Sequence, residues 1–345
     1  MHGKFFSAMK SNHWIVPAIL LGTVLAKIEG GVWAKPYAEK SDTRTVARML
    51  GTWKDAKRNR DIPFLICYPK DLGKDGELAP IIIFSHGLGG TRTLYEAHGT
   101  HWAAHGYVVI FPQHPGTDNT ALATAQSKTK SKLDEIVELT KLIQATTTRF
   151  ADIPFVINQI EALHAGTLPG KQFEIFKGKL NIKKIGMSGH SLGAITTQAL
   201  VGEVHHIPAQ NTTFTDPRVI AGIAMSPYPP LSKENLPETF ASIKVPVLYL
   251  TGSNDTFLAK PEERRIPYDH STAEGTTYLE FQNADHYIFV PMYHRPEKVA
   301  AFVKIINDAT LAYWDTHLKQ NQTAKNWLRQ ELPNELGKLG KLEQK

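Results

Sequence analysis

Short apolar runs alternate with helical patterns along most of this chain, and this alternation restricts the possible folds more than any other feature. Several runs are apolar throughout, as in strands buried on both faces of a sheet. The intervening helices imply βαβ units, whose right-handed crossovers place helices on both faces. We predict an α/β fold with a mostly parallel central sheet. The predicted strands are residues 63–69, 80–85, 107–112, 182–187, 219–225, 245–250 and 277–281, and the predicted helices are about 92–105, 150–165, 192–203 and 297–318.

One strand-to-helix junction carries the run Gly-His-Ser-Leu-Gly at residues 189–193. A G-x-S-x-G motif between a strand and a helix presents its serine at the tip of a sharp turn. Glycine is needed on both sides because a Cβ there would collide with the turn. The helix N-terminus behind the serine favours developing negative charge. We predict that Ser191 is the nucleophile of a serine hydrolase, and that His190 is structural or lines the substrate pocket.

A serine nucleophile requires a general base and an acid that orients it. In enzymes with this motif the chain order is serine, then Asp or Glu, then His. Asp255 lies in a Gly/Asn/Asp turn after the predicted strand 245–250, and His286 follows the predicted strand 277–281. We predict these two residues as acid and base. His294 remains the alternative base, and the weaker acid candidates, which no strand end directly precedes, are Glu262, Glu263 and Asp269.

A glycine-rich turn, His-Gly-Leu-Gly-Gly at residues 86–90, follows the predicted strand 80–85. The backbone N–H after the nucleophile and an N–H from such a turn form the oxyanion hole in this type of enzyme. We predict Leu192 and Leu88 as the two donors, with Gly87 and His190 against the substrate. His86 could be mistaken for a metal ligand together with His114 or Asp118, but no spacing resembles a zinc motif. We therefore expect no metal.

Residues 117–148 and 227–242 interrupt the alternation after two strands, and the first of them contains a helical pattern near residues 132–139. Ligands bind outside the carboxyl ends of strands in open α/β sheets, so we interpret both insertions as walls of a substrate pocket. Surface elaboration is the alternative. The polar segment at about 320–345 contains Pro333 and is expected to fray.

The first 34 residues have the order of a secretory signal peptide: Lys4 and Lys10, an apolar run at 14–26, and a small-residue ending at 32–34. We expect cleavage there, a single domain at 35–345, and export to the periplasm or the exterior. An uncleaved anchor or a buried helix is the alternative. Cys67 is the only cysteine, so no intramolecular disulfide can form, and its apolar neighbours predict a buried thiol.

The formal net charge is +6, and the basic residues are dispersed. No basic stripe is interleaved with aromatic residues, so nucleic acid is not an expected partner. Membrane contact is expected only through the N-terminal segment or through the substrate.

Several of these segments together resemble the branch of the α/β hydrolases that contains platelet-activating factor acetylhydrolase-like and dienelactone hydrolase-like enzymes. The resemblance implies an α/β-hydrolase fold and cofactor-free hydrolysis of short-acyl or lipid-like esters through a serine acyl-enzyme. Bacterial cutinases share the triad layout, so a polyester depolymerase is a second hypothesis, and a catalytically silent binding protein is a third. The segments are residues 81–90, 186–194, 245–255 and 284–286, joined by 60–63, 114–118 and 149–152.

Overall fold

The computed structural model describes residues 37, 43–74, 76–120, 132–207, 210–230 and 233–345. The predicted signal segment, residues 1–34, therefore lies outside the described residues. Part of the predicted insertion 117–148 also lies outside them.

A nine-stranded sheet forms the centre of the fold, in the order β1-β2-β4-β3-β5-β8-β9-β10-β11. The pairs from β4 to β10 are parallel, whereas β1, β2 and β11 pair antiparallel at the two ends. The strands are β1 (Val46–Asp55), β2 (Arg60–Pro69), β3 (Ala79–Ser85), β4 (Val108–Pro112), β5 (Leu180–His190), β6 (Val204–Ile207), β7 (Gln210–Thr213), β8 (Val219–Met225), β9 (Val247–Gly252), β10 (Thr277–Phe281) and β11 (Gly340–Gln344).

Helices cover both faces of this sheet, which is the arrangement of the α/β-hydrolase fold. On one face α1 and α6 join a core cluster that contains Trp102 and Trp314. On the other face α2 and α3 join a second cluster that contains Ile157 and Ala199. The helices are α1 (Glu96–Ala104), α2 (Lys132–Ala165), α3 (Leu192–Val201), α4 (Leu236–Ala241), α5 (Ile266–His270), α6 (Pro296–Leu318), α7 (Gln322–Gln330) and α8 (Leu332–Leu336).

The sheet interior explains why the apolar runs predict strands so well. Every residue of β3 and of β4 is buried, because helices pack on both faces of these strands. Cys67 of β2 is a fully buried free thiol, as its neighbours predict.

The predicted fraying of residues 320–345 is wrong. This segment forms α7, α8 and β11, and β11 pairs antiparallel with β10. Trp327, Leu328, Leu332 and Leu336 join the core that contains Trp314. The apolar residues are few and widely spaced, but they face the same side and dock on α6, which overrides the polar composition.

Two further helical expectations need correction. The helical pattern near residues 132–139 and the predicted helix 150–165 are one continuous 34-residue helix, α2, which begins at Lys132 and includes Pro154, so the second half of the predicted insertion 117–148 belongs to it. Within the segment 227–242, Leu236–Ala241 forms the short helix α4. Among the described residues, no helix combines the length and the apolar character needed to cross a membrane.

Candidate active site

Ser191 lies between the end of β5 and the start of α3, with φ 58° and ψ −118°. A positive φ is strained for a residue with a side chain, and such strain is found where a side chain must be presented to a ligand. The two glycines make the turn possible. A Cβ at Gly189 would lie 2.3 Å from the carbonyl oxygen of Gly193, and one at Gly193 would lie 1.9 Å from that of Ser85.

The predicted acid and base form a buried pair. Nδ1 of His286 lies 3.0 Å from Oδ1 and 3.2 Å from Oδ2 of Asp255. Asp255 follows β9 and His286 follows β10, and these neighbouring parallel strands bring both side chains to the carboxyl edge of the sheet. With Nδ1–H donating to the carboxylate, Nε2 of the imidazole is left as the basic nitrogen.

His190 links the serine turn to the histidine loop. Its Nε2–H donates to the carbonyl oxygen of His286 at 2.8 Å, and the hydroxyl of Tyr95 donates to its Nδ1 at 2.7 Å. Burial, and then the neighbouring His286, lower the pKa of this ring well below its usual value, so it stays neutral. Both ring nitrogens are occupied and only 2% of the residue is exposed. This geometry favours the structural alternative over the pocket wall.

The serine and the base are thus neighbours, but Ser191 and the His286 ring, both described, form no direct hydrogen bond. Catalytic hydrogen bonds are often long in the absence of substrate. Ser191 is 7% exposed and its N–H donates to the carbonyl oxygen of Met225 at 2.9 Å. The backbone around the serine is therefore fixed from β8 as well as from β5.

The predicted oxyanion donors lie on either side of Ser191. Leu192 is the first residue of α3, so its N–H has no acceptor within the helix. In the glycine-rich turn, a Cβ at Gly87 would lie 3.4 Å from Cβ of Ser191. The next N–H, that of Leu88, makes no hydrogen bond to the described residues, whereas the N–H of Gly89 donates to the carbonyl oxygen of Thr117. Two N–H groups are therefore available beside the serine.

Sequence reasoning missed the residues that hold the acid. Ser226 Oγ donates to Oδ2 of Asp255 at 2.6 Å, and Nη2 of Arg264 lies 2.7 Å from Oδ1. Arg264 is fully buried, and its Nε also donates to the backbone carbonyl oxygen of Asp255 at 2.9 Å. Neither residue belongs to a motif. Arg264 is nine residues from its partner and lies in a segment that reads as an ordinary charged surface.

Tyr228 is a further neighbour of the serine. Its hydroxyl donates to the carbonyl oxygen of Phe257 at 3.0 Å, and the Arg264 guanidinium lies 4.7 Å from its ring. Burial raises the pKa of Tyr228 to about 12, against the lowering influence of Arg264 and of the nearby Ser191. The predicted segment 227–242 thus places an aromatic side chain at the nucleophile, and its interpretation as a pocket wall remains a prediction.

A second buried polar cluster begins at Ser85, the residue directly before the glycine-rich turn 86–90, which we call the oxyanion turn. Oγ of Ser85 is 3.0 Å from Nε2 of His114, and Nδ1 of His114 is 2.9 Å from Oδ2 of Asp152. Arg58 and Arg60 also bind Asp152. Burial raises the pKa of this carboxyl, but hydrogen bonds from His114 and Arg60 prevail and lower it to about 2. Ser85, His114 and Asp152 are all fully enclosed, so this Ser-His-Asp array is structural.

The alternative metal ligands and the alternative base are engaged elsewhere. His86 accepts the N–H of His114 on Nε2 at 3.1 Å and donates from Nδ1 to the carbonyl oxygen of Gly87 at 2.7 Å. The described residues contain no group of His, Cys, Asp or Glu side chains that could hold a metal ion. Nε2 of His294 faces Asp285 at 3.3 Å rather than the acid Asp255.

Residues 67–254 match the family model of platelet-activating factor acetylhydrolase, isoform II. The chain belongs to this family. The matched region contains the oxyanion turn and Ser191, and ends one residue before Asp255.

Curated relatives extend the similarity. A platelet-activating factor acetylhydrolase of Cavia porcellus is 26% identical over 282 residues, covering 74% of this chain and 61% of the relative. One of Canis lupus familiaris is 23% identical over 289 residues, covering 74% and 60%. One of Bos taurus is 43% identical over 61 residues, covering 18% and 13%. The chain thus spans about three fifths of the length of the relatives from Cavia porcellus and Canis lupus familiaris.

Proposed function

We propose that this family member is a serine esterase that hydrolyses carboxylic esters through an acyl-enzyme on Ser191. The observation that carries the proposal is the hydrogen-bonded pair of His286 and Asp255 beside a serine held at φ 58°. A base oriented by a carboxylate, a strained serine and two free N–H groups form the set that acyl transfer requires.

The proposed cycle has two halves. Nε2 of His286 takes the hydroxyl proton while Oγ of Ser191 forms a bond to the ester carbonyl carbon. The resulting oxyanion accepts hydrogen bonds from the N–H groups of Leu88 and Leu192. The tetrahedral intermediate collapses, the alcohol leaves with the proton from His286, and the acyl-enzyme remains. A water molecule then gives a proton to His286 and attacks the acyl carbon. The bond from that carbon to Oγ of Ser191 breaks, Oγ takes the proton back from His286, and the acid is released.

The environment of the serine supports a short-acyl or lipid-like ester as the substrate. Tyr228 lies at Ser191, and the ring of Phe257 lies 4.6 Å from that of His286. Exposed apolar side chains lie next to these residues. Leu258 follows Phe257 in the chain, and Tyr287 follows His286 and contacts Tyr293 edge to face, with 5.5 Å between the ring centres. An exposed apolar surface beside the nucleophile suits an apolar substrate. The relatives named above carry the name acetylhydrolase, which points to a short acyl group.

The substitution Ser191→Ala tests the mechanism. We expect it to lower kcat for p-nitrophenyl acetate at least about 1,000-fold and to abolish labelling by a fluorophosphonate probe, because the nucleophile is lost. Ser253→Ala is the control, since the Oγ that it removes only accepts from the side chain of Gln282 and the N–H of Asn283 among the described residues. Full activity or labelling in Ser191→Ala would refute the proposal.

A series of p-nitrophenyl esters from acetyl to decanoyl tests the substrate class. Acetyl and butyryl esters are expected to give the highest kcat/KM. A peak at decanoyl would contradict the short-acyl assignment.

We further propose that residues 1–34 act as a cleaved signal peptide, that residues 35–345 form one domain, and that the mature enzyme is exported. The basic start, the apolar run and the small-residue ending support this. Expression of the full chain in a secreting host, followed by N-terminal sequencing of the exported protein, tests it. A mature chain that begins with Met1 would contradict cleavage.

A further inference from the structure

Arg149 of α2 is a fully buried arginine without a carboxylate partner among the described residues. Its donors go to uncharged acceptors: Nε to Thr196 Oγ1 at 2.9 Å, Nη1 to Thr117 Oγ1 at 3.2 Å, and Nη2 to the carbonyl oxygen of His86. Burial lowers its pKa to about 9, so the guanidinium is still charged at neutral pH. The charge of Asp152, on the same helix, acts to raise this pKa, but Asp152 forms no ion pair with Arg149. Burying a charge without an ion-pair partner is costly, and such groups are usually paired.

Each acceptor of Arg149 either belongs to a backbone segment that carries a predicted oxyanion donor or is hydrogen-bonded to one. The carbonyl of His86 lies two residues before Leu88 in the glycine-rich turn. Thr117, held by Nη1, accepts the N–H of Gly89 on its own carbonyl oxygen at 2.8 Å. The turn that carries Leu88 is therefore tied to the guanidinium at both of its ends.

The other donor is connected through α3. Thr196 accepts from Nε of Arg149, and its hydroxyl donates in turn to the carbonyl oxygen of Leu192 at 3.1 Å. One guanidinium therefore spans the gap between the β3 turn and the first turn of α3. These are the two backbone segments whose N–H groups must converge on one oxygen atom.

We propose that Arg149 is a positioning residue that sets the distance between the two oxyanion donors and places a positive charge behind them. The planar guanidinium suits this function because its donors have fixed relative directions. The charge faces the site where negative charge develops in the transition state, in an enclosure where electrostatic interactions are strong. The inference rests on the proposed function, since it concerns the same acyl transfer.

The substitution Thr196→Val tests the proposal without removing the buried charge, and Thr197→Val is its matched control. Both threonines are fully buried on α3, and each donates to the backbone carbonyl four residues earlier. Only Thr196 contacts Arg149. We expect Thr196→Val to lower kcat for p-nitrophenyl acetate about 10-fold with KM within about twofold of wild type, because a displaced donor weakens transition-state binding alone.

A boronic acid that forms a tetrahedral adduct on the serine supplies a readout that a merely structural role would not change. Its Ki is expected to rise about 10-fold in Thr196→Val, in parallel with the loss of kcat, and to be unchanged in Thr197→Val. For Arg149→Met, fluorophosphonate titration counts the enzyme molecules that have folded, and kcat is calculated per folded molecule. We expect the fall in kcat and the rise in Ki each to reach about 100-fold. Arg149→Lys, which keeps the charge but not the fork, is expected to lie between.

The outcomes separate the two proposals. If the wild-type chain hydrolyses no ester and takes no fluorophosphonate label, the proposed function fails. If the wild type is active, and Thr196→Val matches Thr197→Val in both kcat and Ki, the inference about Arg149 alone is refuted. A fall in kcat without a matching rise in Ki would refute it as well.

Discussion

At the scale of single residues, two consecutive arginines differ in their burial. Arg264 is fully buried against Asp255, whereas Arg265 is about 38% exposed and pairs with Asp269 and Glu343 on the surface. Breaking a buried ion pair from one side leaves an uncompensated charge, at about 3–5 kcal/mol. An exposed pair contributes about 0–1 kcal/mol. Neighbours in sequence should therefore differ strongly on substitution.

We expect Arg264→Met to lower the free energy of unfolding by about 3–5 kcal/mol and Arg265→Met by less than about 1 kcal/mol. Urea unfolding of both variants at pH 7.5, compared with wild type, measures the difference. If both variants lost the same free energy of unfolding, the buried ion pair of Arg264 with Asp255 would stabilise the protein no more than an ordinary surface pair.

The residues of the site divide according to whether a local pattern marks them. Ser191 stands in a motif whose glycines are dictated by backbone crowding, and Asp255 and His286 follow strands in a required order, so a sequence suffices to nominate them. Arg149 acts through contacts between distant segments, and Arg264 reaches Asp255 across nine residues that form no motif, so no spacing in the sequence marks either contact. The sequence does not show whether an arginine is buried or exposed; only the fold does.

At the scale of secondary-structure elements, the sequence predicts the central strands because helices bury them on both faces, which selects continuous apolar runs. The edge strands escaped this reasoning. β1 alternates mainly between exposed and partly buried residues, with only Trp53 and Asp55 buried, and β11 carries Lys341 and Glu343 in five residues. An edge strand exposes polar side chains and pairs on one side only, so its sequence is close to that of a loop.

The pairing of β11 depends on Gly340. A Cβ at this position would lie 2.2 Å from the backbone carbonyl oxygen of Glu280 in β10. We expect Gly340→Val to detach β11, and hydrogen exchange to accelerate at least about 10-fold at the amides of β10 that face it, because their acceptors are lost. Lys341→Val, at an exposed side chain on the same strand, is the control. Unchanged protection of residues 277–281 in Gly340→Val would contradict the register.

At the scale of the whole molecule, the interior holds many neutral histidines. Burial is the largest cause that lowers the pKa of each of them below its ordinary value. Hydrogen bonds hold some of the rings, as those of His114 and His190 show. The affected residues are His86, His98, His101, His114, His190 and His317. This makes folding depend on pH through the protein as a whole rather than through one site.

The sign of this dependence follows from proton uptake. The unfolded chain protonates its histidines near pH 6.5, whereas burial lowers the pKa of His101, His114 and His317 to about 4 in the folded protein. Between these pH values the unfolded state binds more protons through these histidines. Their contribution to stability is therefore full above about pH 6.5 and is lost as the pH drops toward about 4. Each such histidine adds about 1.4 kcal/mol per pH unit to the slope.

We therefore expect the free energy of unfolding, measured with urea between pH 7.5 and 4.5, to decline with a slope near pH 5 of at least about three protons, or about 4 kcal/mol per pH unit. His317→Gln removes one of these groups far from the triad, on α6 against Tyr313. It should reduce the slope near pH 5 by about one proton and leave the slope above pH 6.5 as it is in the wild type, because His317 is neutral there in both the folded and the unfolded state. A wild-type slope below one proton would mean that the enclosed rings accept protons without unfolding, and that burial does not hold them neutral.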